Sequence, residues 1–249
     1  MNETQELSHR QAKILAAVVK EHCDTSLPVG SQDLVEKYNF DVSAPTIRNE
    51  MQALEKMGYI AQPYTSAGRV PTDKGFRYFV NQLMDRVSLG MEEQTRLKKE
   101  MLKLQMAHVE TGRRLAKLLS DHSQQASFAI FPEEVSTTGI SKILNIPGLP
   151  AEDAQEIAKF FDDIDQYAEK MMTEYAQEDS PKTFIGKEIH LSPKSGYSMI
   201  VSRLSLPSGK KGVIGLVGPK SMQYEKNLSL LEYISKLIGG TSVILVLFF

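Results

Sequence analysis

Apolar residues near the start of the chain recur three and four positions apart, which is the spacing of one buried helix face. Ser8 stands where the N-cap of this first helix is expected. The apolar stripe consists of Ile14, Leu15, Val18 and Val19. Proline and glycine at 28–30 interrupt the pattern, and Ser31 is the expected N-cap of a second, short helix. Two helices are therefore predicted before residue 40.

A third helix is predicted after a short turn at 39–42. Ser43 is its expected N-cap, Pro45 suits its first turn, and Gly58 marks its end. Its apolar face consists of Ile47, Met51 and Leu54. Residues 59–71 then have the pattern of a strand, a loop of small residues and a return strand. Three helices followed by a hairpin predict a winged helix-turn-helix.

The middle of the chain predicts one long helix. No proline occurs between 91 and 122, and apolar residues there alternate between spacings of four and three. His108 and Thr111 interrupt this seam, so two interpretations stay open: the helix pairs with a second copy of the chain, or it packs within its own chain. The candidate dimerisation residues are Leu97, Met101, Leu104, Leu115 and Leu118.

The last part of the chain predicts a second domain. Strand patterns occur at 128–131, 183–189, 198–206 and 211–217, and helix patterns at 154–172 and 224–238. These elements favour the α+β class with an antiparallel sheet. The predicted parts are 1–88 (DNA binding), 89–123 (linking helix) and 124–249 (α+β domain).

Composition restricts the function. The 249 residues have a formal net charge of −2, so any nucleic-acid site must be a local patch. The single cysteine and the spacing of the five histidines give no metal site, and no catalytic or cofactor motif is found. The acidic, polar first residues predict no export signal, and the apolar stretch 243–249 is much shorter than the roughly 20 residues of a membrane span. We expect a cytoplasmic protein. It should need no cofactor and should not be an enzyme.

The outer face of the third helix and the hairpin carry the candidate DNA contacts. Asparagine and glutamine can pair with adenine and arginine with guanine, while a helix N-terminus favours a phosphate oxygen. Arg69 is the only cation between 59 and 71, in a loop of small residues that lets backbone approach a phosphate chain or a minor groove. The candidates are Ser43, Thr46, Arg48, Asn49, Gln52, Lys56, Arg69, Lys74 and Arg77.

The charge of this region is modest. Five cations stand against three acidic residues between 43 and 77, a surplus of two. Because phosphate contacts supply most of the affinity for DNA, one copy should bind weakly and a homodimer should bind better.

Several motifs resemble the HrcA family of bacterial heat-inducible transcription repressors. They are Pro-Val-Gly-Ser at 28–31, Val-Ser-Ala-Pro-Thr-Ile-Arg-Asn-Glu-Met at 42–51 and Thr-Ser-Ala-Gly-Arg-Val-Pro-Thr-Asp-Lys-Gly-Phe-Arg at 65–77. Gly-Ile-Ser-Lys-Ile-Leu-Asn at 139–145 and Gly-Val-Ile-Gly-Leu-Val-Gly-Pro at 212–219 also resemble that family.

The resemblance implies a dimeric repressor that binds an inverted-repeat operator, called CIRCE, ahead of chaperone operons and releases it on heat shock. It also implies the chaperonin GroEL as a partner and a GAF-like second domain with an inserted dimerisation segment. The few residues between 122 and 128 leave no room for that insertion or for early GAF-like strands, so a short form is expected. Two alternatives stay open: a repressor whose GAF-like domain senses a small molecule, and a chaperone-interacting adaptor without operator specificity.

Overall fold

The computed structural model describes residues 7–65, 67–85, 87–105, 111–146, 149–175, 180–189, 196–206 and 208–239, apart from the side chains of 102–105 and 175. The chain divides into two compact units. The N-terminal unit comprises Met1–Asp85 and Lys220–Gln223, and the C-terminal unit comprises Arg86–Pro219 and Tyr224–Phe249. The domain boundaries at 88 and 123 stay predictions.

Among its described residues, the N-terminal unit forms four helices and a small hairpin. In chain order they are α1 (His9–Thr25), α2 (Ser31–Tyr38), α3 (Ala44–Lys56), β1 (Ile60–Ala61), β2 (Val70–Pro71) and α4 (Asp73–Tyr78), which continues as a π-turn over Phe79–Leu83. The predicted apolar faces of α1 and α3 are buried together with Leu34 and Phe76. Burial of these stripes holds the short helices together, since helices of this length are marginal in isolation.

The predicted N-cap of α1 is confirmed. Ser8 Oγ accepts a hydrogen bond from the Gln11 amide at 3.2 Å, and Gln11 Oε1 accepts one from the Ser8 amide at 3.1 Å. The N-cap predicted for α2 is wrong by one residue. Gly30 occupies that position, and Asp33 Oδ2 accepts the Gly30 amide hydrogen at 3.0 Å, so a side chain inside the helix satisfies the donor.

The hairpin is joined to the segment before α2. β1 and β2 are antiparallel, and the Val29 and Arg69 amides donate to each other's carbonyl oxygens at 2.9 and 2.8 Å. A Cβ atom on Gly68 would lie 2.4 Å from the Val29 carbonyl oxygen. Only glycine therefore permits the backbone approach that forms this bridge.

The single long helix predicted over 91–122 is wrong. The chain forms α5 (Met91–Gln105) and α6 (Thr111–Ser123), and His122 lies 3.8 Å from a Glu93 oxygen and 3.5 Å from a Glu100 oxygen. A continuous helix would place residues 93 and 122 about 44 Å apart, at about 1.5 Å per residue. The two helices therefore lie side by side. This arrangement buries both apolar stripes, which one extended helix would leave exposed.

An antiparallel sheet forms the centre of the C-terminal unit. Its strands are β3 (Ala126–Phe131), β4 (Glu134–Thr138), β5 (Lys182–Ile185), β6 (Tyr197–Ser205) and β7 (Lys211–Pro219), in the order β4-β3-β7-β6-β5. The predicted mixture of helices with an antiparallel sheet is confirmed, although β4 was not predicted. The strand predicted over 183–189 ends at Ile185 and continues as a 3₁₀ turn over Gly186–Glu188.

Helices cover both faces of this sheet. Ser127 Oγ donates to the Ala116 carbonyl of α6, while the neighbouring Phe128 packs against Phe160 on the opposite face. α10 (Tyr224–Gly239) packs on β6 and α6. The other face carries α7 (Ile140–Leu144), α8 (Ala151–Asp162) and α9 (Ile164–Lys170). The helix predicted over 154–172 is thus two helices, broken at Asp163.

Candidate nucleic-acid interface

The outer face of α3 is exposed to solvent. Ile47, Met51 and Leu54 are buried, which turns the opposite face of the helix to solvent. Within the described part of the chain, four exposed side chains on this face have no hydrogen bond or ion pair. They are Arg48, Asn49, Gln52 and Lys56. Their base-edge and phosphate-binding groups are therefore available to a partner.

Ser43 and Thr46 interact with each other at the start of α3. Ser43 is the N-cap residue, but its hydroxyl lies 3.1 Å from Thr46 Oγ1 and accepts no helix amide. The amides of the first turn consequently lack a side-chain cap. They keep the positive end of the helix dipole open to an anion.

Arg69, the cation predicted to contact DNA from the hairpin, is paired with a side chain of α3. Its Nε and Nη2 atoms lie 3.0 and 2.9 Å from Glu55 Oε2, and its side chain is only 16% exposed. Glu55 Oε1 also accepts the Gln62 amide hydrogen at 3.2 Å. Glu55, on α3, thus binds both arms of the hairpin and fixes their position relative to that helix.

Lys74 and Arg77 also have internal partners. Lys74 Nζ donates to the Met57 carbonyl at the end of α3 at 2.8 Å and lies 4.2 Å from the centroid of the Tyr59 ring. This cation complements the negative end of the α3 dipole. Arg77 Nη1 donates to Asn81 Oδ1 at 3.4 Å. The nine predicted contacts therefore divide into an exposed α3 group and residues that also support the unit.

Ion pairing changes the electrostatics of α3. Glu55 is neutralised by Arg69, and Glu50 lies 3.6 Å from Arg10 and accepts a hydrogen bond from Gln11. The two acidic residues of this helix are thereby compensated. Arg48 and Lys56 then give its exposed face a positive character that suits a phosphate backbone.

Glu55 and Gln62 were missed by reasoning from sequence. Glu55 lies beside the apolar face of α3. Its partner Arg69 is 14 residues away in the sequence, across a hairpin. No local spacing rule connects such positions. The contact depends on the angle between α3 and the hairpin, which the pattern of apolar residues does not specify.

Another ion pair joins α1 to α2. Lys37 Nζ contacts Glu21 Oε1, whose residue is only 8% exposed. The hydrogen bond to Glu21 raises the pKa of Lys37. Burial, followed by the charges of Glu21 and Asp24, raises the pKa of Tyr38 to about 12. Lys37 and Tyr38 therefore keep their ordinary protonation states at neutral pH.

The predicted dimerisation residues lie inside the C-terminal unit. Leu97, Met101, Leu115 and Leu118 are at most 5% exposed, and the side chain of Leu104 lies outside the described residues. Buried side chains cannot also form a seam with a second copy. The four described side chains pack within the chain, which was one of the two interpretations left open by the sequence.

Two negative observations concern the described residues alone. None of the helices described is long and apolar enough to cross a membrane. Across the same residues, no group of three or more histidine, cysteine, aspartate or glutamate side chains could hold a metal ion.

Comparison with known proteins decides the family. A family model described as the HrcA protein C terminal domain matches residues 74–228, more than half of the chain. The chain belongs to the HrcA family. The resemblance read from the motifs is thereby confirmed.

Curated HrcA proteins match parts of the chain. The heat-inducible transcription repressor HrcA of Moorella thermoacetica is 41% identical over 132 residues, covering 51% of this chain and 37% of that protein. The protein of the same name from Pelotomaculum thermopropionicum is 49% identical over 94 residues, covering 38% and 27%. The matching regions thus span about a third of the length of these HrcA relatives. Both relatives are named as repressors and not as enzymes.

One solved structure shares the fold. A crystal structure of a hypothetical protein at 2.2 Å resolution has a TM-score of 0.67 and 20% sequence identity, covering 93% of this chain and 96% of its own. The similarity extends over both units of the HrcA-family chain. It concerns the fold alone.

Proposed function

We propose that this HrcA-family chain is a cytoplasmic transcription repressor of heat-shock operons. In this proposal it binds an inverted-repeat operator of the CIRCE type as a homodimer and releases it on heat stress, with GroEL as a chaperone partner. The HrcA relatives are named heat-inducible transcription repressors, which supports the proposal.

The exposed α3 face is the observation that carries the proposal. The three helices and the hairpin have the order of a winged helix-turn-helix, in which the recognition helix enters the major groove. Asn49 and Gln52 lie on that face without internal partners among the described residues, and their amide groups can each pair with an adenine edge. Lys56 extends the same face toward the phosphate backbone.

The homodimer follows from operator symmetry. An inverted repeat presents two equivalent half-sites, so its reader needs two equivalent copies of α3. Leu97, Leu115 and Leu118 are buried in their own chain, so this proposal assigns the dimer contact to another surface.

The same proposal includes a GAF-like C-terminal unit. The structure supports sensing of a small molecule by this unit less than it supports regulation without a ligand. Phe160 packs against Phe128, Phe161 and Tyr197 with ring centroids 5.3 to 6.2 Å apart. These rings occupy the space between the sheet and α8. We therefore favour regulation by heat and a chaperone over regulation by a bound metabolite.

The test is a titration of the full chain against fluorescent inverted-repeat and scrambled duplexes, with and without GroEL. Asn49→Ala should weaken binding to the operator by about 1–3 kcal/mol, because a paired base edge is lost, and should leave the scrambled duplex unaffected. Asn145→Ala, the same change at an exposed position of the C-terminal unit, is the control. Equal binding of both duplexes by the unaltered chain would favour the adaptor alternative.

A further inference from the structure

A cavity of about 350 Å³ lies beside the exposed face of α3. It is lined by the start of α2, by α3 and by the hairpin, all within the N-terminal unit. The lining residues that matter here are Gly30, Ser31, Arg48, Gln52, Gly68 and Arg69. Of the two proposed base contacts, Gln52 lines this space and Asn49 does not.

Ser31 provides a donor inside the cavity. The residue is only 9% exposed, yet its hydroxyl has no hydrogen-bond partner among the residues that the structure describes. The hydroxyl oxygen itself is not fully buried, so water or a ligand in the cavity can reach it. Ser31 is also the first residue of α2, and Leu34 is the first residue of that turn whose amide donates to a preceding carbonyl, that of Gly30. The amides of 31–33 thus add donors at the positive end of the helix.

The charges around the cavity favour one anionic group. Arg48 is exposed and lines the cavity, whereas Arg69 is compensated by Glu55. The Asp33 carboxylate is engaged with the Gly30 amide and does not line the cavity. The available groups are therefore one guanidinium, one hydroxyl and the α2 amides, which together suit a singly charged oxyanion.

The position of the cavity identifies the anion. If α3 lies in the major groove and the hairpin lies over the adjacent minor groove, the DNA strand that separates these grooves must pass between α3 and the hairpin. The cavity opens between those two elements. We propose that it binds one phosphodiester group of the DNA backbone, held by Ser31, the α2 amides and Arg48. This inference deepens the proposed function, and it assigns Arg48 to the backbone in place of a base edge.

The test uses duplexes in which single phosphates are replaced in turn by uncharged methylphosphonates. The unaltered chain should lose about tenfold in affinity at one position per half-site, because charge-assisted hydrogen bonds are lost there. Ser31→Ala should weaken binding to the unmodified operator by about fivefold to tenfold. At the sensitive position, the serine variant should show little further loss, because the same contact is already absent.

Arg48→Ala is the second variant, because it changes an exposed side chain and tests the same contact without altering a buried position. It should also make the negative slope of log affinity against log salt shallower by about 0.9, the value for one phosphate. Ser141→Ala, on the exposed side of α7, is the control. Thermal melting checks that each variant is folded.

The outcomes separate this inference from the proposed function. If the operator is not preferred over scrambled DNA but Ser31→Ala weakens binding to every duplex, the repressor proposal fails and the phosphate site stands. If the operator is preferred and the serine variant binds as the unaltered chain does, the phosphate site is rejected. The phosphate site is also rejected if Ser31→Ala lowers the affinity for every methylphosphonate duplex by the same factor as for the unmodified operator.

Discussion

Glu55 is the residue that orients the hairpin. It accepts hydrogen bonds from the Gln62 amide and from Arg69, one on each arm of the hairpin. An ion pair with two donors on one guanidinium has a defined geometry, unlike most surface pairs. The same contact compensates a negative charge on α3.

Disrupting this pair should affect both folding and binding. We expect Glu55→Ala to lower the free energy of unfolding by about 1–3 kcal/mol, because Arg69 is left partly buried without its counter-charge. The variant should also bind the operator more weakly, because Glu55 no longer fixes the hairpin relative to α3. Urea denaturation and fluorescence titration measure the two effects.

The exchanged pair Glu55→Arg with Arg69→Glu is the matched control. It restores the opposite charges in reversed order and should recover part of the lost stability. If the loss of unfolding free energy in the double variant equals the sum of the losses in the two single variants, the charges are not coupled.

Helices were predicted well where a single stripe determines their burial. The stripes of α1 and α3 gave both helices and their buried faces, because local spacing alone sets which residues point inward. Two features depended on distant contacts and were missed. The pairing of α5 with α6 replaces one long helix, and β4 is an edge strand whose residues are only half-buried or exposed, so its apolar pattern is weak.

Leu115 on α6 should behave as a core residue. It is 1% exposed, so Leu115→Ala should cost about 2–5 kcal/mol of unfolding free energy through the cavity that it leaves. At temperatures where the variant stays folded, its dimer fraction should equal that of the unaltered chain. Calorimetry and sedimentation velocity measure these quantities.

Lys117→Ala, at an exposed position of the same helix, is the comparison variant and should change the stability little. Loss of the dimer from a fully folded Leu115 variant would return α6 to the role of a dimerisation helix.

At the scale of the whole molecule, the symmetry of the operator should set the geometry of binding. If two copies bind one inverted repeat, their α3 helices must face half-sites on the same side of the duplex. Inserting about five base pairs between the half-sites, about half a turn, should reduce the affinity toward that of a single half-site. Inserting about ten should recover part of it.

This spacing series is measured with the same titration as the unmodified operator. Affinity that is insensitive to the insertion would mean that each copy binds its half-site independently. A single half-site bound as tightly as the full repeat would contradict the dimer directly.

The backbone bridge between Val29 and Arg69 has a consequence for protein engineering. Because it ties the segment before α2 to the return strand of the hairpin, α3 is enclosed between two pieces of chain that fix each other. If α3 alone were exchanged with that of a relative, the new helix would have to pack between two segments whose positions fit the original α3. A chimaera intended to transfer operator preference should therefore exchange residues 29–71 as one cassette.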